Sequence, residues 1–288
     1  MMKTPLFSGV ATALVTPFLN GAVNFPMLEQ LIRRQLEADI PALVLCGTTG
    51  EAATLTDEEK IQILRRAVPA ARGRCKLIAG TGSNSTAHAV ALSREAEENG
   101  ADAVLVVSPY YNKANPAGLI SHYQAVAQAV TIPVILYNVP SRTGMDIPVE
   151  VCRVLSRIPN IAGIKEANPS LDRIVELRRS CDFSIWSGCD ELTVPVMAVG
   201  GQGVISVASN VVPEEMTAMT DAALDGDFDT AAAIQGRLQP LIRLLFSEVN
   251  PIPVKAAMKC LGYDCGPCRL PLGPLEPSRR QELEALFR

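Results

Sequence analysis

Hydrophobic and polar positions along the chain alternate between two periods. Near-continuous apolar runs recur at Val10–Val15, Ala42–Cys46, Lys76–Ala79, Ala103–Val107, Val134–Tyr137, Ile161–Lys165, Phe183–Ser187 and Gly203–Val207. A strand covered on both faces has no polar alternation, so these runs predict buried parallel strands. Between them, Leu28, Leu31, Ile32 and Leu36 keep helical spacing, as do Ile61, Leu64 and Val68. Thr56-Asp57-Glu58-Glu59 is a capping box: the Thr56 hydroxyl accepts from the Glu59 amide while Glu59 reaches back. Pro26, Pro148 and Pro213 stand where a first helical turn tolerates proline.

Eight strand–helix repeats over residues 1–226 predict an α/β chain folded as a (β/α)8 TIM barrel. The competing doubly wound sheet usually carries a glycine fingerprint after its first strand, and Val10–Phe18 has none. Residues 227–288 read as a C-terminal helical extension, broken by the proline-rich stretch Pro267–Pro277 and packed on the barrel.

A length of 288 residues suits one large domain, and 48% hydrophobic with 19% charged residues excludes a disordered chain. Lys+Arg 26 against Asp+Glu 30 leaves a net charge of −4 with no block of one sign, so nucleic acid is not an expected partner. A membrane helix needs about 20 apolar residues, far more than any run here. Leu6–Val15 is interrupted by Ser8, Gly9 and Thr12, and Thr16-Pro17-Phe18 offers no small-residue cleavage site. A first strand is expected rather than a secretion signal, and the protein is expected in the cytoplasm. The eight cysteines are scattered, several in apolar settings (Cys46, Cys152, Cys181), which suits reduced thiols packed as small hydrophobes. Cys265-Gly266-Pro267-Cys268 is a lone pair with His88 and His122 far upstream, so no metal is expected.

Barrel enzymes build their sites in the loops at the C-terminal ends of the strands. Those loops here carry Thr48-Thr49 between glycines, Gly80-Thr81-Gly82, Tyr110-Tyr111-Asn112, Tyr137 to Gly144, Lys165-Glu166 and Ser187-Gly188-Cys189-Asp190. Lys165 closes an apolar run, where an ammonium is costly unless paired or neutral. Glu166 is a poor partner, since neighbours on a strand face opposite ways. A desolvated lysine is a nucleophile for carbonyls, which leaves a Schiff-base role and a structural one side by side. Tyr137 ends the preceding strand and can shuttle the proton such chemistry needs, or simply pack by its ring. Thr48-Thr49 suits a turn that exposes successive amides to a carboxylate. Arg142 can clamp a second carboxylate, or stand as an ordinary loop arginine. Neither a Walker loop nor a complete GxGxxG is present, so nucleotide binding drops out, and no Ser–His–Asp set is suggested.

Gly47-Thr48-Thr49-Gly50-Glu51, Tyr110-Tyr111-Asn112, Tyr137-Asn138-Val139-Pro140-Ser141-Arg142-Thr143-Gly144, Gly163-Ile164-Lys165-Glu166-Ala167, Gly203-Val204-Ile205-Ser206-Val207 and Asn250-Pro251-Ile252-Pro253-Val254-Lys255 follow one another in this order. Together the six strings resemble the dihydrodipicolinate synthase family of pyruvate-dependent Schiff-base aldolases, along essentially the whole chain. The resemblance implies an imine between Lys165 and pyruvate, with no metal or nucleotide cofactor. It implies a proton relay of Tyr137, Thr49 and Tyr111, the last offered across a dimer interface. It also implies a pyruvate pocket of the Thr48 and Thr49 amides, Gly188 and Ile205, and a seat for the carboxylate of aspartate-4-semialdehyde on Arg142. Cys189 departs from the pattern, where an acidic residue often follows Ser-Gly. Sister enzymes acting on sialic acid or sugar acids share the lysine and tyrosine, and a silent keto-acid-binding barrel is a further alternative.

The resemblance further implies a homotetramer built as a dimer of dimers, acting on pyruvate and the semialdehyde. Lysine-inhibited members bind the end product in a cleft matched here by Ala52, Ala53, Asp57, Lys60, Asn84, His88 and Tyr110. Sensitive enzymes tend to carry a carboxylate at the His88 position and histidine or glutamate at that of Lys60. Lys60 presents a like charge to a bound ammonium, so weak inhibition by L-lysine is expected.

Overall fold

A computed structural model of the chain describes residues 3–71 and 73–287. Eight parallel strands close into a barrel: β1 (Gly9–Ala13), β2 (Ala42–Leu45), β3 (Lys76–Gly80), β4 (Ala103–Val107), β5 (Val134–Asn138), β6 (Ile161–Glu166), β7 (Ser184–Ser187) and β8 (Gly203–Ser206). Closure runs from Gly9↔Gly203 to Thr12↔Ser206. The covering helices are α1 (Phe25–Glu37), α2 (Asp57–Ala71), α3 (Thr86–Glu98), α4 (Pro116–Ala129), α5 (Val149–Leu155), α6 (Leu171–Ser180), α7 (Thr193–Ala198) and α8 (Pro213–Leu224).

All eight apolar runs become strands, each within two residues of its expected ends. The first begins earlier, at Gly9, and stops at Ala13. Leu14 still donates to Val44 O at 3.0 Å, but the Val15 amide turns to Asn210 Oδ1 at 3.1 Å, and a side chain ends the ladder. The capping box opens α2: the Glu59 amide donates to Thr56 Oγ1 at 3.2 Å and the Thr56 amide to Glu59 Oε2 at 2.9 Å. Pro26 and Pro213 lie in first turns as expected. Pro148 is instead the N-cap of α5, one position before the turn. A small hairpin, Phe18–Leu19 with Ala22–Val23, is too short for any periodicity to announce.

The barrel interior is lined by small and medium side chains, among them Ala11, Ala13, Ala42, Val44, Ile78, Leu105 and Ile205. Large rings sit among them, Trp186 the largest. Trp186 stacks on Phe7 with centroids 4.7 Å apart and donates from Nε1 to Phe7 O at 3.2 Å. Gly163 makes room for it, since a Cβ there would lie 2.5 Å from the indole.

After α8 come α9 (Phe228–Leu245), α10 (Ile252–Cys260) and α11 (Pro277–Leu286). Their apolar faces, including Ile234, Leu238, Leu241, Val254, Met258 and Leu283, join the core that lies between strands and helices. Burial of each such side chain is worth roughly 1.5–3 kcal/mol, ample to dock three helices. No described helix is long and apolar enough to cross a membrane.

Candidate active site

Tyr137 and Lys165 are register partners on β5 and β6, so their side chains leave the sheet on the same side. Both are 6% exposed, and the Lys165 ammonium stands 4.5 Å from the centre of the Tyr137 ring. Among the described residues no carboxylate pairs with it. Glu166 points to the opposite face, as the strand period requires.

There Glu166 is held by Arg173 Nε at 2.8 Å, Asn138 Nδ2 at 2.6 Å and the Asn168 amide at 2.9 Å. Burial lifts the Glu166 carboxyl above its ordinary range, against the pull of Arg173 and the other donors. Asn138 also donates to Asp146 and accepts from the Ile147 amide. The residues following Tyr137 and Lys165 thus lock the ends of β5 and β6 from behind. Periodicity alone could not show that these neighbours share one network.

Across the mouth, the turn after β2 is anchored by the C-terminal extension. Glu51, 3% exposed in a left-handed conformation (φ 56°), accepts from Lys255 Nζ at 2.7 Å and from the Arg269 amide at 2.8 Å. Arg269 continues to Glu59, Thr54 O and Gly21 O. Thr49 is buried, and its Oγ1 accepts from Asn250 Nδ2 at 2.9 Å. The Thr48 carbonyl accepts from Glu51, while no acceptor among the described residues engages the Thr48 or Thr49 amide. Sequence reasoning assigned no part to Glu51, Asn250, Lys255 or Arg269. The available signal was Lys255, a cation in the apolar run Ile252–Met258.

A cavity of about 380 Å³ opens at this end of the barrel, with Thr48, Tyr137, Val139, Arg142, Asn250 and Leu272 among its walls. Arg142, from a one-turn helix at Pro140–Thr143, is exposed and donates to Asn250 O at 3.3 Å. Its guanidinium thus lies at the solvent edge of the cavity. Lys165, Thr49, Gly188 and Ile205 are not among the cavity walls, with Thr49 and Ile205 2% and 1% exposed. Gly188 lies against Ala167, where a Cβ would meet it at 2.7 Å. Burial pushes the Cys189 thiol up to about 12, with Lys165 pulling weakly the other way, so this departure adds no charge beside the lysine. Tyr111 is not gathered in: it is 92% exposed at φ 66°.

The same cavity is also walled by Ala52, Ala53, Lys60, His88 and Tyr110. Lys60 Nζ donates to Asp57 Oδ1 at 3.1 Å, and His88 Nε2 meets Asp57 Oδ2 at 2.8 Å. Partial burial would raise the Asp57 carboxyl, but the hydrogen bonds from His88 and Lys60 hold it below its ordinary value. Asn84 lends its carbonyl to Asn112 at 3.0 Å. No group of three or more candidate metal ligands occurs among the described residues.

A parallel barrel with an inward lysine and tyrosine at its C-terminal mouth defines the class of lysine-centred barrel enzymes. Residues 6–288 match the model of the dihydrodipicolinate synthetase family. The chain is similar to the 4-hydroxy-tetrahydrodipicolinate synthase of Alkaliphilus oremlandii, at 48% identity over 96% of this chain and 97% of that one. It resembles the solved dihydrodipicolinate synthase of Aquifex aeolicus, with a TM-score of 0.96 at 46% identity over 98% and 97% of the chains. A chloride-inhibited dihydrodipicolinate synthase from Acinetobacter baumannii, solved in complex with pyruvate, gives 0.95 at 40% identity over 97% of each chain. The chain belongs to the dihydrodipicolinate synthetase family.

Proposed function

We propose that the protein condenses pyruvate with L-aspartate-4-semialdehyde to give 4-hydroxy-tetrahydrodipicolinate, a step of lysine and diaminopimelate biosynthesis. The observation that carries this reading is Lys165, inward, without a carboxylate partner and stacked on Tyr137. The Lys165 amine attacks the ketone of pyruvate. Tyr137 supplies the proton with which the carbinolamine hydroxyl leaves as water. The protonated imine draws electrons from the methyl group, which loses a proton to form the enamine. The enamine carbon bonds to the aldehyde carbon of the semialdehyde, whose oxygen takes a proton and becomes a hydroxyl while the imine to Lys165 re-forms. The product's own amine then attacks the imine carbon, closing a six-membered ring and releasing Lys165. The lysine is itself the electron sink, so the chemistry needs no added cofactor.

The Thr48 and Thr49 amides hold the pyruvate carboxylate, Gly188 and Ile205 border it, and Arg142 takes the carboxylate of the semialdehyde. Thr49, with its oxygen already accepting from Asn250, keeps its hydrogen for the relay through Tyr137. The third relay member, Tyr111, comes from a second copy, in keeping with its projection into solvent. The same reading takes the enzyme as a cytoplasmic homotetramer, a dimer of dimers, which light scattering measures directly. Borohydride reduction with pyruvate, followed by intact mass, tests the chemistry. Wild type gains the reduced adduct and Lys165→Ala does not; an equal adduct in both, or none in wild type, overturns the reading.

A further inference from the structure

Asn250 presents a buried acceptor with nothing to accept. It is 8% exposed, and its Oδ1 has no hydrogen-bond partner among the described residues. Two of its other polar atoms are engaged: Nδ2 donates to Thr49 Oγ1 at 2.9 Å, and the backbone oxygen accepts from Arg142 at 3.3 Å. The residue lines the cavity together with Thr48, Tyr137 and Arg142. A buried amide carbonyl left unmade is costly, and it is tolerated where a ligand completes it.

We infer that Asn250 reads the α-ammonium of the second substrate, an inference that rests on the reaction proposed above. In an α-amino acid the ammonium and carboxylate share one carbon, so whatever holds the carboxylate places the ammonium within a few ångströms. Arg142, the carboxylate group's partner, is hydrogen-bonded to Asn250 itself. An acceptor beside a guanidinium is the pairing that zwitterion recognition requires. Asn250 Oδ1 supplies that acceptor, and a neutral amide does so without a carboxylate that would tie up Arg142. The same side chain positions Thr49, so one residue couples recognition of the amine to the proton relay. The amine so held is the one that later displaces Lys165.

Succinic semialdehyde, which lacks only the amine, separates recognition from positioning. Steady-state kinetics with L-aspartate-4-semialdehyde, and inhibition by the des-amino aldehyde in the same assay, are measured for wild type, Asn250→Ala and Asn250→Asp. Loss of a hydrogen bond to a charged group predicts a KM for the amino aldehyde raised tenfold or more, roughly, in Asn250→Ala. The inhibition constant of the des-amino aldehyde changes by less than about threefold, since that molecule never used the contact. Any fall in kcat through Thr49 leaves this contrast intact. Asn250→Asp keeps an acceptor and keeps the preference for the amino aldehyde. Equal losses for both aldehydes in Asn250→Ala, or a preference lost in Asn250→Asp and kept in Asn250→Ala, overturn the assignment. Wild type that turns over no amino aldehyde overturns the proposed reaction, and this inference with it.

Discussion

Two carboxylates six residues apart, Glu51 and Asp57, each face two cationic or N–H donors, yet they live in different media. Glu51 is sealed with Lys255, the side chains 0% and 3% exposed, and its partners come from more than 200 residues away. Asp57 is half exposed on the cavity rim, bridging Lys60 three residues on and His88 on α3. A desolvated ion pair tolerates no loss of one partner, because the other is then buried and unpaired. An exposed cluster is screened and rearranges at little cost. The first is therefore a clamp that holds the Thr48–Thr49 turn against the C-terminal helices. The second shapes a rim and leaves the fold indifferent to it.

Breaking the clamp gives the largest expected effect. Lys255→Met strands the Glu51 charge and lowers stability by about 3–5 kcal/mol, with turnover falling as the turn loosens. The double change Glu51→Gln with Lys255→Met recovers most of that stability. Thermal denaturation of wild type and the two variants decides it, and a single variant as stable as wild type would end the clamp interpretation.

Next comes Arg142, exposed and tethered to Asn250 O by one long hydrogen bond. Arg142→Ala raises KM for the semialdehyde by about 10–100-fold, the range for a lost charged contact, while borohydride trapping of pyruvate is unchanged. Semialdehyde kinetics that stay at wild-type values would point instead to a sugar-acid substrate.

At the rim, the Asp57 carboxylate is already occupied by Lys60 and His88, so a bound lysine ammonium meets the Lys60 charge and finds the carboxylate taken. We expect half-maximal inhibition by L-lysine only above roughly 1 mM, a weak interaction of about 4 kcal/mol. A titration showing inhibition well below that would mean that Asp57 releases its partners to the ligand.

The smallest effect is on stability at the same rim. Asp57→Asn shifts it by no more than about 1 kcal/mol, as for exposed ion pairs generally. The sign with pH is definite. A carboxyl held below its ordinary value of 3.8 stabilises the fold above that value and loses the contribution as pH falls through the lowered one. Melting curves of wild type and Asp57→Asn therefore differ most near neutrality and converge in acid; a gap that widened in acid would reverse the assignment.

Much of the site was legible beforehand because it depends on local pattern. Lys165 ends an apolar run, and Tyr137 ends the run before it, so parallel pairing was enough to bring them side by side. Arg142 lines the cavity from a one-turn helix that leaves it in solvent, so the choice between clamp and ordinary loop arginine is one that kinetics must make. Tyr111 was assigned to a neighbouring copy, and its exposure within this chain leaves that expectation to be measured.

The chain's own periodicity determined the strands and the opposite facing of Lys165 and Glu166, because burial on both faces and a side-chain period of two are properties of consecutive residues. Only the tertiary structure decided which distant polar groups meet at the mouth: Asn250 with Thr49, 201 positions apart, and Lys255 with Glu51, 204 apart. A buried donor demands some partner, but nothing in its neighbours along the chain says which one; that choice is made when the last helices dock on the barrel.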